Sequence, residues 1–144
     1  MSTFLDANVV VSYFISSALE HRRAEAYIDD LVESGDSLAV SPQVLMESFK
    51  VMTHAKIFPD RVSAAKFRDI ALNFLSDPAV VLVCPTQRAV EYALDAAMKK
   101  NIISSKIFDL LIYGTMREHG ITKLATFNAR DFTGLSEIET ASIP

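Results

Sequence analysis

The chain has 144 residues, half of them hydrophobic, and a formal net charge of −4 at pH 7. This length suits one domain with its own hydrophobic core, expected to span residues 1–144. The acidic balance argues against binding of nucleic acid or an anionic membrane through overall charge, so a nucleic-acid ligand would need a local basic surface. The single Cys84 excludes a disulfide framework and, within an apolar run, is expected to be buried.

Hydrophobic segments long enough to cross a membrane are absent, since no apolar run reaches about 18 residues. The stretch 9–19 has the length of a signal-peptide core, but no basic leader precedes it and Asp6 does. We therefore expect a cytoplasmic protein with no membrane partner.

Short apolar segments alternate with helical patterns, which is typical of a parallel sheet flanked by helices in an α/β fold. Strands are predicted near residues 3–5, 37–41, 79–83, 122–126 and, more weakly, 136–139. The first helix is predicted from about Val9, and the second covers 20–34 and ends at Gly35.

Capping residues mark the later helices. Ser41 before Pro42 predicts the start of a third helix, because serine caps N-termini and proline fits the first turn. Asp60 is expected to cap a fourth helix that ends near residue 75, before the Asp77-Pro78 pair. A fifth helix covers 87–100, with an apolar side formed by Val90, Leu94, Ala97 and Met98. Ser104 or Ser105 is expected to cap a sixth helix, which ends at Gly120.

Three carboxylates stand among residues expected to be buried. Asp6 follows the first strand, Glu47 shares a helical stripe with Val44 and Val51, and Asp109 lies near the start of an apolar helix. A buried charge costs free energy unless a partner, commonly a cation, compensates it. Since Asp6 ends a strand, we expect it at the edge of the sheet where open α/β folds bind ligands.

Further oxygen donors, Asn128 and Asp131, follow the fourth strand. Oxygen ligands from separate segments that meet at one edge suit Mg²⁺ or Mn²⁺. Zinc is disfavoured because the histidines are isolated, and the sequence has no glycine-rich phosphate loop, nucleophile elbow or dinucleotide fingerprint.

Each of these side chains also has a structural interpretation. Asp6 could cap the first helix, and Asn128 could cap a turn with Asp131 as its reciprocal partner. Ion pairs three residues apart are the alternatives for the other two acids, Glu47–Lys50 and Lys106–Asp109. Each signal alone is weak, and the combination in one parallel α/β scaffold favours a metal site.

The order of these residues resembles the PIN domain family and, within it, the small VapC-type toxin ribonucleases. The resemblance covers essentially the whole chain. It rests on Asp6-Ala7-Asn8 after the first strand, Glu47 after the second, Asp109 before Leu110-Leu111-Ile112, and the stretch 125–132.

This resemblance implies a five-stranded parallel sheet, Mg²⁺- or Mn²⁺-dependent cleavage of RNA to 5′-phosphate and 3′-hydroxyl ends, frequent homodimers and inhibition by a cognate antitoxin. It implies that Asp6, Glu47 and Asp109 are catalytic residues and metal ligands. Many relatives carry Asp where Asn128 stands, which leaves the fourth ligand open between Asn128 and Asp131.

Basic residues are candidate RNA contacts: Arg22 and Arg23 beside His21, Lys99, Lys100, Lys106 and Arg130. The alternative for each cluster is a solvated helix face. Four phenylalanines are instead interpreted as core or dimer contacts, Phe58, Phe67, Phe74 and Phe108.

Two other function classes remain. One is a non-catalytic PIN-like module that binds RNA or protein, which loss of the fourth acid would permit. The other is an Asp-dependent phosphoryl-transfer protein. Dehalogenase-like members of that class need a second Asp two residues after the first, and Asn8 stands there.

Overall fold

The chain folds into a five-stranded sheet in which all neighbouring strands are parallel. The computed structural model describes residues 1–144. The strands are β1 (Ser2–Leu5), β2 (Ser37–Val40), β3 (Val80–Leu82), β4 (Lys123–Ala125) and β5 (Glu139–Thr140). Their order across the sheet is β3-β2-β1-β4-β5. The predicted five-stranded parallel α/β fold is confirmed, although β5 begins at the last residue of its predicted range.

Six α-helices connect and flank the strands. They are α1 (Ala7–Phe14), α2 (His21–Glu33), α3 (Pro42–Met52), α4 (Ala64–Leu75), α5 (Gln87–Lys100) and α6 (Ile107–Glu118), and there are two 3₁₀ turns, Ser104–Lys106 and Ala129–Phe132. The Ser41 hydroxyl accepts a hydrogen bond from the Val44 N–H, which confirms the predicted cap of α3. Helix α2 is followed by Gly35 at φ +80°, the left-handed conformation that glycine adopts freely.

Two predicted helix starts are wrong. Ser63, not Asp60, caps α4, because the Asp60 carboxylate accepts a hydrogen bond from Ser17 instead. Helix α6 begins at Ile107 without a serine cap. Ser104 has φ +59°, outside the helical region, and Ser104–Lys106 form a 3₁₀ turn before the helix starts.

The buried side of α5 is formed by alanines. Ala89 and Ala93 are buried, whereas Val90 and Leu94 on the predicted apolar side are exposed. The reason is close contact with α6, where a Cβ added at Gly114 would lie 2.1 Å from the Ala89 carbonyl oxygen. Only small side chains fit between two helices this close, so the larger ones point outward.

Some of the other predictions about burial are confirmed and some are wrong. Cys84 is exposed, so the prediction of a buried cysteine is wrong. Phe67 and Phe74 are core residues as expected, while Phe108 is 55% exposed. None of the helices combines the length and apolar character needed to span a membrane.

The connections of the strands determine where a site can form. After β1 the chain adds β2 and then β3 on one side, and it crosses to the other side of β1 to form β4 and β5. The strand order therefore reverses between β1 and β4. In open parallel sheets, ligands bind at the carboxyl ends of the strands on both sides of such a reversal.

Candidate active site

Asp6 lies directly after β1, at the point where the strand order reverses. Its backbone N–H donates to the Ala125 carbonyl oxygen at 3.0 Å, which ties it to the end of β4. The buried carboxylate accepts hydrogen bonds from the Ala7 N–H and from the Thr126 hydroxyl, each at 2.7 Å. Asp6 therefore caps α1, and the same contacts hold its carboxylate at the carboxyl edge of the sheet.

Asn8 and Thr126 complete a hydrogen-bond network around Asp6. The Asn8 Nδ2 lies 3.3 Å from both Asp6 Oδ2 and Thr126 Oγ1. Asn8 Oδ1 accepts from the Phe127 N–H, and Thr126 Oγ1 accepts from the Asn128 N–H, both at 3.0 Å. The sequence analysis assigns neither side chain to the site, although Thr126 directly follows β4 and Asn8 stands three residues after the end of β1.

The pKa of Asp6 lies above its ordinary value. Burial is the largest cause, the hydrogen bonds from Thr126 and Ala7 oppose it, and the negative charges of Glu47 and Asp131 add to it. Asp6 is therefore a buried acid whose pKa depends on the negative charges of two nearby carboxylates.

Glu47 reaches this edge from α3. Its Oε1 accepts a hydrogen bond from Gln43 Nε2 at 2.9 Å, and the same nitrogen lies 2.9 Å from the Phe108 carbonyl oxygen. Gln43 thus connects Glu47 to the residue before Asp109. The alternative ion pair with Lys50 does not form.

Asp109 lies in the first turn of α6. Its pKa is raised to about 6, chiefly by burial and then by the negative charges of Asp131, Asp6 and Glu47, while the positive charge of Lys106 lowers it. Lys106 is too far away for an ion pair, and no hydrogen-bond donor contacts the Asp109 carboxylate. The raised pKa therefore reports burial of an acid among other acids.

The two candidates for the fourth position differ in their surroundings. Asn128 is exposed and precedes a 3₁₀ turn, but its side chain makes no capping hydrogen bond, so the predicted reciprocal cap is absent. Asp131 is exposed on that turn, and its charge raises the pKa of both Asp6 and Asp109. Asp131 is therefore the one that is electrostatically coupled to the other acids.

The donor chemistry of this edge fits a hard divalent cation. Four carboxylates repel one another there, and Lys106 is the cation that moderates the pKa of Asp109. No group of three or more acidic, histidine or cysteine side chains is arranged to enclose a metal ion. Mg²⁺ commonly binds through one or two carboxylates and keeps several waters, which requires no such enclosure. One or two of the four carboxylates, those of Asp6, Glu47, Asp109 and Asp131, would hold such an ion together with waters.

The basic candidates are distributed over different surfaces. Arg23 is engaged within the protein, since its guanidinium donates to Glu20 and to the carbonyl oxygens of Ile143 and Pro144. Arg22 is exposed on α2. Three of the remaining predicted RNA contacts line one cleft next to Asp131: Lys100, Lys106 and Arg130. Lys99 borders a neighbouring pocket with Arg117, and this pocket shares Lys100 and Leu135 with the cleft next to Asp131.

Fold and site together define a parallel α/β domain with an acidic edge at its topological switch point. The sequence matches the PIN domain family over residues 3–137, and the chain belongs to that family. A comparison with curated proteins gave no significant match.

Solved structures with the same fold include toxins and toxin–antitoxin complexes. The VapC20 toxin of Mycobacterium tuberculosis, described as cleaving the sarcin–ricin loop, is 17% identical with a TM-score of 0.67, over 94% of this chain and 98% of that one. VapBC2 of Rickettsia felis, bound to promoter DNA, is 19% identical with a TM-score of 0.69, over 99% and 100% of the two chains. A toxin–antitoxin complex of Klebsiella pneumoniae is 20% identical with a TM-score of 0.65, over 99% and 98%. At these identities the similarity establishes the fold.

Proposed function

We propose that this PIN domain is a Mg²⁺- or Mn²⁺-dependent endoribonuclease and the toxin of a toxin–antitoxin pair, acting on RNA in the cytoplasm. The observation that carries the proposal is the group of mutually repelling carboxylates at the carboxyl edge, where Asp109 has a pKa raised to about 6. Acids with shifted pKa values gathered at a binding edge are typical of functional sites. Membership of the PIN family and the fold shared with VapC toxins support the same function.

Each residue has a distinct part in this proposal. A bound divalent ion would supply an activated water at neutral pH and neutralise charge on the scissile phosphate. Asp6 and Asp109 would hold the ion, and Thr126 and Ala7 fix the orientation of the Asp6 carboxylate. Glu47, oriented by its hydrogen bond from Gln43, would be a further ligand or would accept the proton of the attacking water.

The first prediction concerns metal dependence. Purified protein is expected to cleave end-labelled RNA in Mg²⁺ or Mn²⁺ and to leave it intact in EDTA, because carboxylates alone do not activate water at neutral pH. RNA binding without cleavage in either metal would instead indicate a non-catalytic binding module. Transfer from a labelled phosphoryl donor to Asp6, without RNA cleavage, would indicate the phosphoryl-transfer alternative.

A partner antitoxin and a second copy of the chain belong to the same proposal. The Rickettsia felis and Klebsiella pneumoniae structures are toxin–antitoxin assemblies. Two exposed apolar surfaces are available here, the outer side of α5 with Leu94 and Met98, and the groove between α3 and α4 with Met46 and Leu72. Exposed apolar patches commonly mark protein–protein contacts.

The second prediction concerns toxicity. Induced expression of the wild-type chain is expected to arrest growth of a bacterial host, whereas the Asp109→Asn variant, produced at the same level, is expected to allow growth. The reason is that a toxin acting by RNA cleavage needs its metal site. Equal arrest by the two proteins would mean that toxicity comes from sequestering a partner and not from cleavage.

A further inference from the structure

A cleft of about 320 Å³ opens beside the acidic edge, between the end of α5, the start of α6 and the turn that follows β4. Three cationic side chains line it, those of Lys100, Lys106 and Arg130. The remaining lining residues are Ile102, Leu110, Asp131, Thr133 and Leu135. The cleft therefore combines a positive rim with a largely aliphatic floor, in a chain whose net charge is −4.

The three cations are not engaged within the protein. None of them forms an ion pair, and the ion pairs of the structure involve other cationic groups, including Arg23 and Arg117. Free cations gathered around one concave surface attract an external anion. Their positions therefore point to a ligand that carries negative charge.

The cleft is continuous with the acidic edge. Asp131 lines the cleft, and its charge raises the pKa of both Asp6 and Asp109. Lys106 also lines it and moderates the pKa of Asp109. Because Asp131 belongs to both the cleft and the acidic edge, a strand whose phosphodiester lies at the carboxylates would pass next to the cleft.

Gly134 leaves room for one of these cations. A Cβ at this position would lie 2.8 Å from Lys100 Nζ, so any other residue would push the lysine ammonium away. The residue also has φ +75°, a conformation that glycine adopts without strain. The segment after β4 thus brings its backbone against the Lys100 ammonium, and Lys100 lies between the cleft and the neighbouring pocket that Gly134 lines.

We propose that this cleft binds one unpaired nucleotide of the RNA strand, adjacent to the cleavage point. Its backbone phosphate lies among Lys100, Lys106 and Arg130, and its ribose and base lie against the aliphatic floor. The inference rests on the proposed ribonuclease function. A volume of about 320 Å³ is at the small end of ligand pockets and suits a single nucleotide unit.

The lining also determines what the cleft recognises. It contains no aromatic side chain to stack on a base and no amide to bind a base edge. Contacts to phosphate position a strand but carry no sequence information. The cleft is therefore a base-tolerant position, and substitution of the base that occupies it is expected to leave affinity almost unchanged.

The third prediction tests the cleft by RNA binding in EDTA, with fluorescence anisotropy of a labelled single-stranded RNA. The Lys100→Gln/Arg130→Gln variant is expected to bind about tenfold more weakly, and the slope of log affinity against log salt is expected to fall by about 1.4, or ~0.7 per cation removed. Lys106 is kept because its charge acts on Asp109. The matched control is Lys56→Gln/Lys66→Gln, which removes two exposed lysines away from the cleft and should bind like wild type.

A conservative exchange separates charge from folding. The Lys100→Arg/Arg130→Lys variant keeps both charges and is expected to retain affinity within about threefold. In Mn²⁺, Lys100→Gln/Arg130→Gln should show a raised KM and a kcat within about threefold of wild type, because these two side chains bind the strand and are not among the residues that would hold the ion.

The outcomes distinguish the cleft from the catalytic proposal. Weaker RNA binding by Lys100→Gln/Arg130→Gln supports the cleft even if the wild-type protein cleaves no RNA in Mn²⁺. If the wild-type protein cleaves RNA, and Lys100→Gln/Arg130→Gln has the RNA affinity and salt slope of wild type, the proposal that the cleft binds a nucleotide is wrong and the proposed ribonuclease function stands. A polyglutamate peptide that binds with the same dependence on Lys100 and Arg130, while RNA affinity is unaffected, would overturn it in favour of an acidic protein segment.

Discussion

Asn in place of Asp109 is expected to lower the single-turnover rate of RNA cleavage by at least about 100-fold, a barrier increase of ~2.7 kcal/mol. The change keeps the shape of the side chain and removes the negative charge that would hold a divalent ion. Asp109 makes no hydrogen bond that the substitution would break, so the loss would report the site and not the fold. Asp6→Asn is expected to lose activity to a similar extent, since its carboxylate lies at the same edge.

Matched controls make this prediction specific. Asp30 is exposed on α2, away from the acidic edge, and Asp30→Asn removes the same charge, so wild-type activity is expected. Asp6 also caps α1, so melting curves must accompany the Asp6→Asn data. If Asp109→Asn cleaves RNA at the wild-type rate, Asp109 does not belong to the catalytic site.

Metal-free Asp109→Asn is expected to be more stable than wild type at neutral pH, by about 1 to 2 kcal/mol. In the folded protein the pKa of Asp109 is raised from 3.8 to about 6, so the folded state binds more protons than the unfolded state between these values. The wild-type free energy of unfolding therefore decreases as pH rises through this window. The full shift corresponds to about 3 kcal/mol at ~1.4 kcal/mol per pKa unit, and solvent screening of this partly exposed group reduces it.

Denaturant unfolding in EDTA measures this effect as a function of pH. The difference between Asp109→Asn and wild type should be small below the window, grow across it and stay constant above it. Mn²⁺ should raise the melting temperature of wild type more than that of the variant, because an ion bound to the folded state stabilises it. A variant that is less stable than wild type at neutral pH, with an unchanged response to Mn²⁺, would mean that Asp109 has a structural role.

The sequence was sufficient to predict the parallel sheet, and from the sheet it predicts that the acids lie at one edge. Parallel strands end on the same side of a sheet, so Asp6 after β1 and Asp131 beyond β4 were expected close together once the α/β pattern was recognised. Glu47 was identified because a carboxylate interrupted an otherwise apolar helical stripe. These inferences depend only on periodicity and on the cost of burying charge.

Side-chain contacts between distant segments were beyond the reach of such patterns. Gln43 looked like an ordinary polar residue in the first turn of α3, and its contact with the Phe108 carbonyl oxygen depends on how α3 meets α6. The apolar side of α5 was predicted to be buried and is exposed for a similar reason. The short distance between α5 and α6 at Gly114 leaves room only for small residues. Hydrophobicity predicts that a face is apolar, but the spacing of neighbouring helices decides which face is buried.

The most direct test of the central claim is the single-turnover rate of RNA cleavage as a function of Mn²⁺ concentration, for wild type, Asp109→Asn and Asp30→Asn. If the carboxylates hold a catalytic ion, wild type and Asp30→Asn should be inactive in EDTA and should follow the same saturating curve. Asp109→Asn should remain at least about 100-fold slower at saturation. Cleavage by wild type that persists in EDTA, or an Asp109→Asn curve that coincides with that of wild type, would contradict the claim.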